Sequence, residues 1–270
     1  MSTAPPAATA LATGVGEALL EAIGLGVRAG ERVLVEGLDL ELRRGEFLAV
    51  LGRNGAGKTL LLHTLAGLRA PLAGELRLLG QSLATRPRRE VALALALLPQ
   101  DVESIPGATV LEAVLTGRYA HQGPWGADDP RDRQLALAAL ERLGIAAHAG
   151  RELATLSGGE QRRVGAAATL AQQAPVVLLD EPTNHLDPHH QLAVLEVFAA
   201  HARDGGAVIA SLHDPTLAAR YADRVLLLHG DGRWQCGPAA QLLNAADLTA
   251  LYLTEIVELQ GGARRVFAAA

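Results

Sequence analysis

The sequence predicts an α/β protein in which a mostly parallel sheet is flanked by helices. Short apolar runs typical of buried strands alternate along the chain with segments of helical periodicity. One such run, residues 47–51, leads into a glycine-rich loop, and a helix-prone run at residues 60–65 follows that loop. Apolar residues make up 49% of the 270 residues and aromatic residues 3%, which is an ordinary composition for a folded α/β protein.

The glycine-rich loop, residues 51–59, reads LGRNGAGKT and fits the phosphate-binding pattern G-x-x-x-x-G-K-[ST]. Its glycines allow several backbone N–H groups to point inward at a helix N-terminus, where anions are favoured. Lys58 adds a point charge for the β- and γ-phosphates of a nucleotide, and the Thr59 hydroxyl can bind Mg²⁺. The alternative is a strand–helix turn that binds nothing. We expect nucleotide contacts from Gly52, Arg53, Asn54, Gly55, Ala56, Gly57, Lys58, Thr59 and Leu60.

Lys58 is also the only lysine among the 24 lysine and arginine residues of the chain. Because every other basic side chain in the chain is arginine, the lysine at position 58 indicates a site that needs a compact ammonium group rather than a planar guanidinium.

The chain before the loop divides into a tail and a strand region. Residues 1–16 carry no charge and are rich in Ala, Pro, Thr and Gly, which predicts a disordered tail. Residues 18–42 contain short apolar segments separated by glycine turns, which predicts antiparallel strands. After the loop we expect a helix through residue 68 and a strand over residues 75–79.

Residues 91–98 form a long apolar run that fits either a buried strand or part of a helix. A strand at the end of this run is favoured, because Pro99 and Gln100 close it. The run is shorter than the ~18 residues of a membrane-spanning helix, and it is among the longest apolar runs in the chain.

A helical insertion is predicted over residues 101–155. Helical spacing marks residues 109–116 and 131–143, and residues 117–130, which include Trp125, form a loop between them. Residues 156–161 open a further helix that runs to residue 173.

Two apolar strands in the second half end in polar residues. The strand at residues 176–179 ends at Asp180 and Glu181, and the strand at residues 207–212 ends at His213, with a helix after Pro188 between them. We further expect a hairpin of residues 225–228 and 233–236, a last helix at 242–251 and a frayed tail from residue 261.

Asp180 and Glu181 suit phosphate chemistry, because ligand sites of parallel sheets lie at the carboxyl ends of the strands. One carboxylate can hold Mg²⁺, and the other can take a proton from an attacking water. Taken alone, such a pair is more often a solvated strand end, but the phosphate loop upstream favours the functional interpretation. His213 is in isolation equally compatible with a surface histidine, and its position after the next strand favours a role in the site.

Ser157, Gly158 and Gly159 precede a helix and offer a hydroxyl, free backbone N–H groups and a positive helix end. Together these groups predict a second anion site. The alternative is an N-terminal helix cap in which the glycines permit a tight turn.

These residues carry a resemblance: from about residue 17 to residue 259 the chain resembles ATP-binding cassette (ABC) ATPases. Six motifs of that family occur here in the family's order. They are the Walker A loop (Gly52 to Thr59), the Q-loop (Gln100), the signature (Leu156 to Gln161, with Ser157, Gly158, Gly159 and Glu160), Walker B with the catalytic glutamate (Asp180, Glu181), the D-loop (Leu186, Asp187) and the switch histidine (His213).

The resemblance implies a P-loop NTPase core with an antiparallel β subdomain and a helical subdomain that carries the signature. It implies a single ATPase domain over residues 17–260, with the helical subdomain at about 101–157 and a C-terminal tail at 261–270. It also implies that ATP and Mg²⁺ bind, with Thr59, Gln100 and Asp180 near the metal, and that Glu181, His213 and Gln100 act in hydrolysis.

Two copies of such a protein pair head to tail, so that each ATP lies between one copy's Walker A loop and the other's signature and D-loop Asp187. Two positions depart from the family pattern. Residues 28–30 lack the aromatic that usually lies under the adenine, and Leu60 replaces a hydroxyl. We expect hydrolysis to survive both changes, because a neutral hydrogen bond is worth only ~0.5–1.5 kcal/mol net.

Bulk properties exclude several classes of protein. The net charge of −5 provides no basic field for nucleic acid. The single cysteine, Cys236, rules out an internal disulfide framework and fits a reducing compartment. The first basic residue, Arg28, lies too late for a secretory signal. We therefore expect a cytosolic protein whose membrane role depends on a partner.

The chain resembles the importer branch that serves iron-siderophores, haem and cobalamin, on the strength of residues 116–119, 183–187, 191 and 213–224. It implies a peripheral subunit on the cytoplasmic face of the cell membrane, paired with a polytopic permease and served indirectly by a substrate-binding protein. His185, His189 and His190 are expected to be surface residues rather than metal ligands.

Two other functions remain open on the sequence. A soluble ABC ATPase that acts in assembly, as in iron–sulfur scaffolds, would also lack a membrane span. A P-loop transferase acting on a small molecule is disfavoured, because such kinases complete their sites without the Ser157 signature.

Overall fold

The computed structural model describes residues 16–101, 106–123, 129–261 and 264–270. The predicted N-terminal tail lies outside these ranges except for Gly16, whose carbonyl accepts a hydrogen bond from the Arg43 guanidinium at 2.8 Å. Trp125, in the predicted loop of the insertion, also lies outside them.

Two strands before the phosphate loop and two strands after it form a four-stranded antiparallel sheet, in the order β2-β1-β4-β5. Strand β1 is Ala18–Ala29, β2 is Arg32–Arg43, β4 is Ala73–Leu78 and β5 is Gln81–Ser82. The antiparallel prediction is confirmed. The short segments that glycines separate in the sequence join into two long strands, and register shifts in β1 accommodate the irregularities.

A six-stranded sheet forms the centre of the fold, in the order β10-β9-β3-β8-β7-β6. Its strands are β3 (Phe47–Gly52), β6 (Leu95–Leu98), β7 (Val176–Leu179), β8 (Ala207–Ser211), β9 (Arg224–Leu228) and β10 (Trp234–Pro238). All pairs are parallel except β9 with β10, which form the predicted hairpin. The carboxyl ends of β3, β6, β7 and β8 therefore lie along one edge, which collects the loops that follow them.

Helices cover both faces of this sheet, and the side chains that its strands bury belong to two hydrophobic clusters. Helix α1 is Lys58–Leu65 and α2 is Arg88–Ala94. The remaining helices outside the insertion are α6 (Pro188–Arg203), α7 (Pro215–Tyr221), α8 (Ala239–Leu242) and α9 (Ala245–Tyr252). The 91–98 run resolves as expected, with helix in its first half and strand β6 at its end.

The predicted helical insertion comprises α3 (Val110–Leu115) and α4 (Pro130–Arg142), which pack against α5 (Gly158–Ala171). A buried ion pair supports this layer, because Nε of Arg118 lies 2.8 Å from Oδ1 of Asp132. Because α5 packs on α3 and α4, it belongs to the same helical layer.

The C-terminal region differs from the prediction. The expected helix over residues 242–251 corresponds to α9, which begins after Asn244 because the Asn244 side chain caps it by accepting a hydrogen bond from the Asp247 N–H. The short helix α8 precedes it. The expected frayed tail from residue 261 is wrong: strands β11 (Ile256–Gly261) and β12 (Arg264–Ala269) pair in an antiparallel hairpin. Phe267 anchors this hairpin, since its side chain is buried in the main core and its N–H donates to Thr216 Oγ1 at 3.1 Å.

Within the described part of the chain, none of the helices is long and apolar enough to cross a membrane.

Candidate functional site

The phosphate loop joins strand β3 to helix α1, as the motif predicts. Gly57 adopts a φ of 103°, a left-handed conformation that a side chain would strain, and it forms the N-cap of α1 without a capping side chain. The N–H groups of the first turn are therefore left to a ligand. Arg53, Asn54 and Gly55 are exposed, whereas Ala56 is buried and Leu60 packs on the core.

Lys58 begins helix α1 and turns its side chain back over the loop. The side chain is only 4% exposed, and its Nζ donates to the carbonyl of Gly52 at 2.9 Å. Burial lowers the pKa of Lys58, while the charges of Glu181 and Asp180 oppose that shift. Nζ lies 3.9 Å from Oε1 of Glu181, so the ammonium faces the carboxylate edge of the sheet.

Asp180 follows strand β7 and is fully buried. Its Oδ1 accepts a hydrogen bond from Ser211 Oγ at 2.7 Å, and its N–H donates to the carbonyl of Leu98 at 2.9 Å. Its Oδ2 is buried without a hydrogen-bond partner among the described residues. A buried carboxylate oxygen without a donor fits a cation, and the half-buried Thr59 hydroxyl belongs to the same loop as Lys58.

Glu181 adopts a φ of 49° and directs its carboxylate between the phosphate loop and His213. Nε2 of His213 lies 2.6 Å from Oε1, and the Asn184 amide donates to Oε2. The Glu181 N–H donates to Ser211 Oγ at 2.8 Å. Non-glycine residues at positive φ are uncommon and concentrate at functional sites, so this geometry is in keeping with a role in the chemistry.

Gln100 follows strand β6 and is exposed. Its carbonyl accepts a hydrogen bond from Arg162 at 2.8 Å. Across the described ranges its side-chain amide makes no hydrogen bond, so the structure places Gln100 at the edge of the site without linking it to Asp180 or Thr59.

The signature residues form the N-terminus of α5. Ser157 caps the helix and Glu160 completes a capping box: Oε2 of Glu160 accepts from both the N–H and the hydroxyl of Ser157 at 2.8 Å. These bonds lower the pKa of Glu160. Gly158 is exposed, and a side chain on Gly159 would lie 3.0 Å from the carbonyl of His185.

The structure does not bring Ser157 to the phosphate loop of its own chain, because its hydrogen bonds remain within the first turn of α5. Asp187 likewise acts locally: it caps α6 by accepting from the His190 N–H at 2.9 Å and from Nδ1 of His190 at 2.8 Å. These bonds lower the pKa of Asp187. His185 and His189 are exposed, and within the residues described here no group of three or more His, Cys, Asp or Glu side chains could hold a metal ion.

Four residues of the site were missed by the sequence analysis. Ser211 holds Asp180 and Glu181, Asn184 holds the Glu181 carboxylate, and Arg162 donates to carbonyls beside them. Arg32 donates to the carbonyl of Gly230, whose backbone lies against Ala56 of the loop. A signal existed for two of them, because Ser211 is a polar residue in an apolar strand and Arg162 lies on the buried face of its helix.

The chain is similar in sequence to known ATP-binding transport proteins. The family model described as ABC transporter matches residues 35–184. The hemin import ATP-binding protein HmuV of Gloeobacter violaceus is 46% identical over 80% of this chain and 80% of its own length. HmuV of Streptomyces coelicolor is 43% identical over 92% and 86%. The petrobactin import ATP-binding protein FpuD of Bacillus anthracis is 36% identical over 77% of each chain.

Solved structures resemble the chain over most of its length. An inward-facing conformation of an ABC transporter assigned to the metal-chelate type superposes with a TM-score of 0.82 at 28% identity, covering 94% of this chain and 98% of the other. A dimeric bacterial ABC transporter cassette superposes with a TM-score of 0.70 at 26% identity, covering 80% and 97%.

Proposed function

The chain belongs to the ABC transporter family and is an ATPase of that family, and we propose that it energises import of an iron chelate through a separate membrane permease. The observation that carries the assignment of the site is the convergence of Lys58, Glu181 and His213. Oε1 of Glu181 lies 3.9 Å from Nζ of Lys58 and 2.6 Å from Nε2 of His213.

Lys58 binds the β- and γ-phosphates in this proposal. Its ammonium donates to the Gly52 carbonyl at 2.9 Å. That carbonyl is a neutral acceptor, and an anionic phosphate oxygen accepts a stronger hydrogen bond. Because the group is buried, it gains more from a phosphate than an exposed lysine would. The N–H groups of the α1 N-terminus add donors on the same side.

The residues also fit Mg²⁺. Asp180 provides a buried carboxylate oxygen that lacks a hydrogen-bond donor among the described residues. The Thr59 hydroxyl provides a second ligand, a neutral oxygen. When bound, the ion supplies positive charge to the phosphate oxygens. Ser211 keeps the other oxygen of Asp180 occupied at 2.7 Å, so the carboxylate has one orientation in which to offer Oδ2.

Glu181 is the general base of the proposed hydrolysis. A water oxygen bonds to the γ-phosphorus while its proton passes to the carboxylate, and the bond from the γ-phosphorus to the bridging oxygen breaks to release ADP. His213 and the Asn184 amide hold the two carboxylate oxygens, which orients the base. In this proposal Gln100 and His213 respond to the γ-phosphate.

The complete site requires two copies of the chain in this proposal. Ser157 and Gly158 are exposed, and among the described residues Ser157 hydrogen-bonds only within its own helix end, so both remain available to a nucleotide held by a second copy. The dimeric cassette structure, which superposes over 80% of this chain, supports a head-to-tail homodimer.

Haem is the favoured cargo, because two of the relatives named above are hemin import proteins and match at 43% and 46% identity. A ferric siderophore is the second candidate, supported by the petrobactin relative. None of the three relatives is named for cobalamin, and none is named for assembly of an iron–sulfur scaffold. The proposed location is the cytoplasmic face of the cell membrane, against the permease, with a substrate-binding protein reaching the permease from the other side.

The test is affinity purification of the tagged chain from detergent-solubilised membranes, followed by growth on defined iron sources. We expect a polytopic membrane protein to co-purify. We also expect a strain without the chain to lose growth on haem as sole iron source and to recover it with the wild-type chain but not with Glu181→Gln. Recovery of only soluble partners, with normal growth on haem and on ferric siderophores, would contradict the importer proposal.

A further inference from the structure

Arg162 makes contacts that the hydrolysis scheme above does not use. It lies on helix α5, and its side chain is only 4% exposed. One guanidinium nitrogen donates to the carbonyls of Pro99 and Gln100, the latter at 2.8 Å, and the other donates to the carbonyl of Asp180. A single side chain of the helical layer therefore holds the loops that follow strands β6 and β7.

These bonds add a connection that the sheet itself does not provide. Strands β6 and β7 are already joined by their own ladder, which ends at Leu98 and Leu179 and is extended by the Asp180 N–H. The acceptors of Arg162 lie beyond that ladder. The guanidinium thus joins the two loops to α5 rather than merely to each other.

The guanidinium remains charged in this position. Burial lowers the pKa of Arg162 to about 10, and the negative charges of Asp180, Glu181 and Asp101 oppose that shift. A planar fork that donates to several carbonyls fixes both spacing and orientation, which a lysine ammonium on a flexible stem does not.

The same helix carries Ser157 at its N-terminus, five residues before Arg162, or about 7.5 Å along the helix axis. In the head-to-tail dimer, Asp180 and Gln100 serve the nucleotide of their own chain, whereas Ser157 serves the nucleotide of the second copy. We propose that Arg162 is a positioning residue that couples occupancy of a chain's own ATP site to the placement of the signature it offers to the other site.

This inference rests on the proposed two-chain site only for its consequence in the dimer. The coupling itself lies within one chain: a change at Gln100 or Asp180 on Mg-ATP binding is carried by the guanidinium to α5. It is therefore measurable in the monomer, where failure of the coupling and failure of the dimer are separate results.

The matched control is Arg163, the next residue on α5. Its guanidinium also donates to carbonyls, those of Gly144 at 3.1 Å and Leu143 at 3.4 Å, but both acceptors belong to the helical layer. Arg163→Lys therefore removes a similar fork from the same helix without touching the loops after β6 and β7.

The experiment compares Glu181→Gln, Glu181→Gln/Arg162→Lys and Glu181→Gln/Arg163→Lys. Amide hydrogen exchange of residues 157–161 is measured with and without Mg-ATP, at protein concentrations below dimerisation. We expect Mg-ATP to slow this exchange in the first and third proteins but not in the second. Binding of a fluorescent ATP analogue should change by no more than about threefold in the second protein, because Arg162 does not reach the phosphate loop.

Sedimentation at high protein concentration with Mg-ATP gives the consequence. We expect dimerisation to weaken by about tenfold to a hundredfold in the Arg162 variant, since charge-assisted hydrogen bonds are lost, and to change little in the Arg163 variant. Equal protection and equal dimerisation in all three proteins would overturn the coupling. Protection in the first and third proteins without dimerisation of either would leave the coupling standing and refute the two-chain site.

Arg162→Gln, which keeps an amide donor and buries no charge, is the second variant. Circular dichroism and thermal unfolding of both variants report the fold. Loss of the folded state in both, or equal loss of protection in the Arg163 control, would assign Arg162 to general stability of α5 and overturn the proposal.

Discussion

Nε2 of His213 lies 2.6 Å from Oε1 of Glu181, where the neighbouring parallel strands β7 and β8 end. The Asn184 amide donates to the other carboxylate oxygen, so both oxygens are held before a nucleotide arrives. Because the carboxylate is already oriented, the reaction does not carry the entropy cost of ordering it. This favours proton transfer from a water that contacts the carboxylate.

Replacing Glu181 by glutamine should remove hydrolysis and keep ATP binding. The amide retains the shape of the side chain but cannot accept the proton, so we expect turnover to fall by about 10²–10⁴-fold. ATP that is bound and not cleaved should accumulate a dimer, because a ligand that bridges two copies shifts the equilibrium by mass action. Size-exclusion chromatography with and without Mg-ATP measures this.

The control for that dimer is Glu181→Gln/Ser157→Arg, in which a bulky cation occupies the exposed signature cap. We expect it to bind ATP as a monomer. A Glu181→Gln protein that hydrolyses ATP at the wild-type rate would show that another group is the base.

Replacing Lys58 should abolish turnover with the fold intact. Loss of a charge-assisted contact to phosphate in Lys58→Ala predicts ATP binding weaker by about tenfold to a hundredfold. Lys58→Arg should fail as well, because a planar guanidinium does not fit the place of a buried ammonium that donates to Gly52 at 2.9 Å. Calorimetric titration with ATP and a phosphate-release assay measure the two effects, and Arg88→Lys on the exposed surface of α2 is the control.

Ser211→Ala should raise the Mg²⁺ concentration needed for half-maximal ATPase activity. The substitution leaves Oδ1 of Asp180 and the N–H of Glu181 without the hydroxyl that now lies 2.7 Å and 2.8 Å from them. An unsatisfied buried group costs about 1–3 kcal/mol, so the melting temperature should also fall. If the melting temperature falls while the Mg²⁺ dependence stays unchanged, Ser211 supports the fold and does not orient Asp180.

Tyr119→Ala should reduce transport more than basal ATPase activity. Tyr119 is 65% exposed and lies in the helical insertion shortly after α3. An exposed aromatic of this kind is typical of a binding surface, and we predict that it meets the permease. Proteoliposome uptake and ATP hydrolysis are measured on the same preparation, and equal loss of both would indicate a role in folding.

Stability should decrease as the pH falls below the ordinary histidine range, and His201 should contribute to that decrease. Burial lowers the pKa of His201 from 6.5, and its Nε2 lacks a hydrogen-bond partner in the described part of the chain. Below pH 6.5 the unfolded chain therefore binds a proton that the folded chain does not, which favours unfolding. Urea unfolding of His201→Gln between neutral and mildly acidic pH should show a shallower dependence than wild type, whereas exposed His189→Gln should not.

The sequence by itself determined the elements whose cause is local. The phosphate loop follows from glycines and Lys58 at fixed spacing and joins strand and helix as predicted. The cap at Ser157, which the sequence left as the alternative to an anion site, forms with Glu160 three residues later. The buried strand at residues 176–179 is recognisable because a parallel strand covered on both faces is a continuous apolar run.

Only the tertiary structure decided which distant groups meet. Ser211 reaches Asp180 because strands β7 and β8 are neighbours, and Arg162 reaches it from helix α5, which packs against β6. Their residue types are unusual for their positions, but the sequence does not say which groups they contact. The C-terminal hairpin is the clearest case. Residues 264–269 were expected to be a frayed tail, yet they form strand β12. They do so because Phe267 is buried in a hydrophobic core that residues far earlier in the chain form. Local rules describe what a segment can form, and the free energy of burial, which depends on the whole fold, decides what it does form.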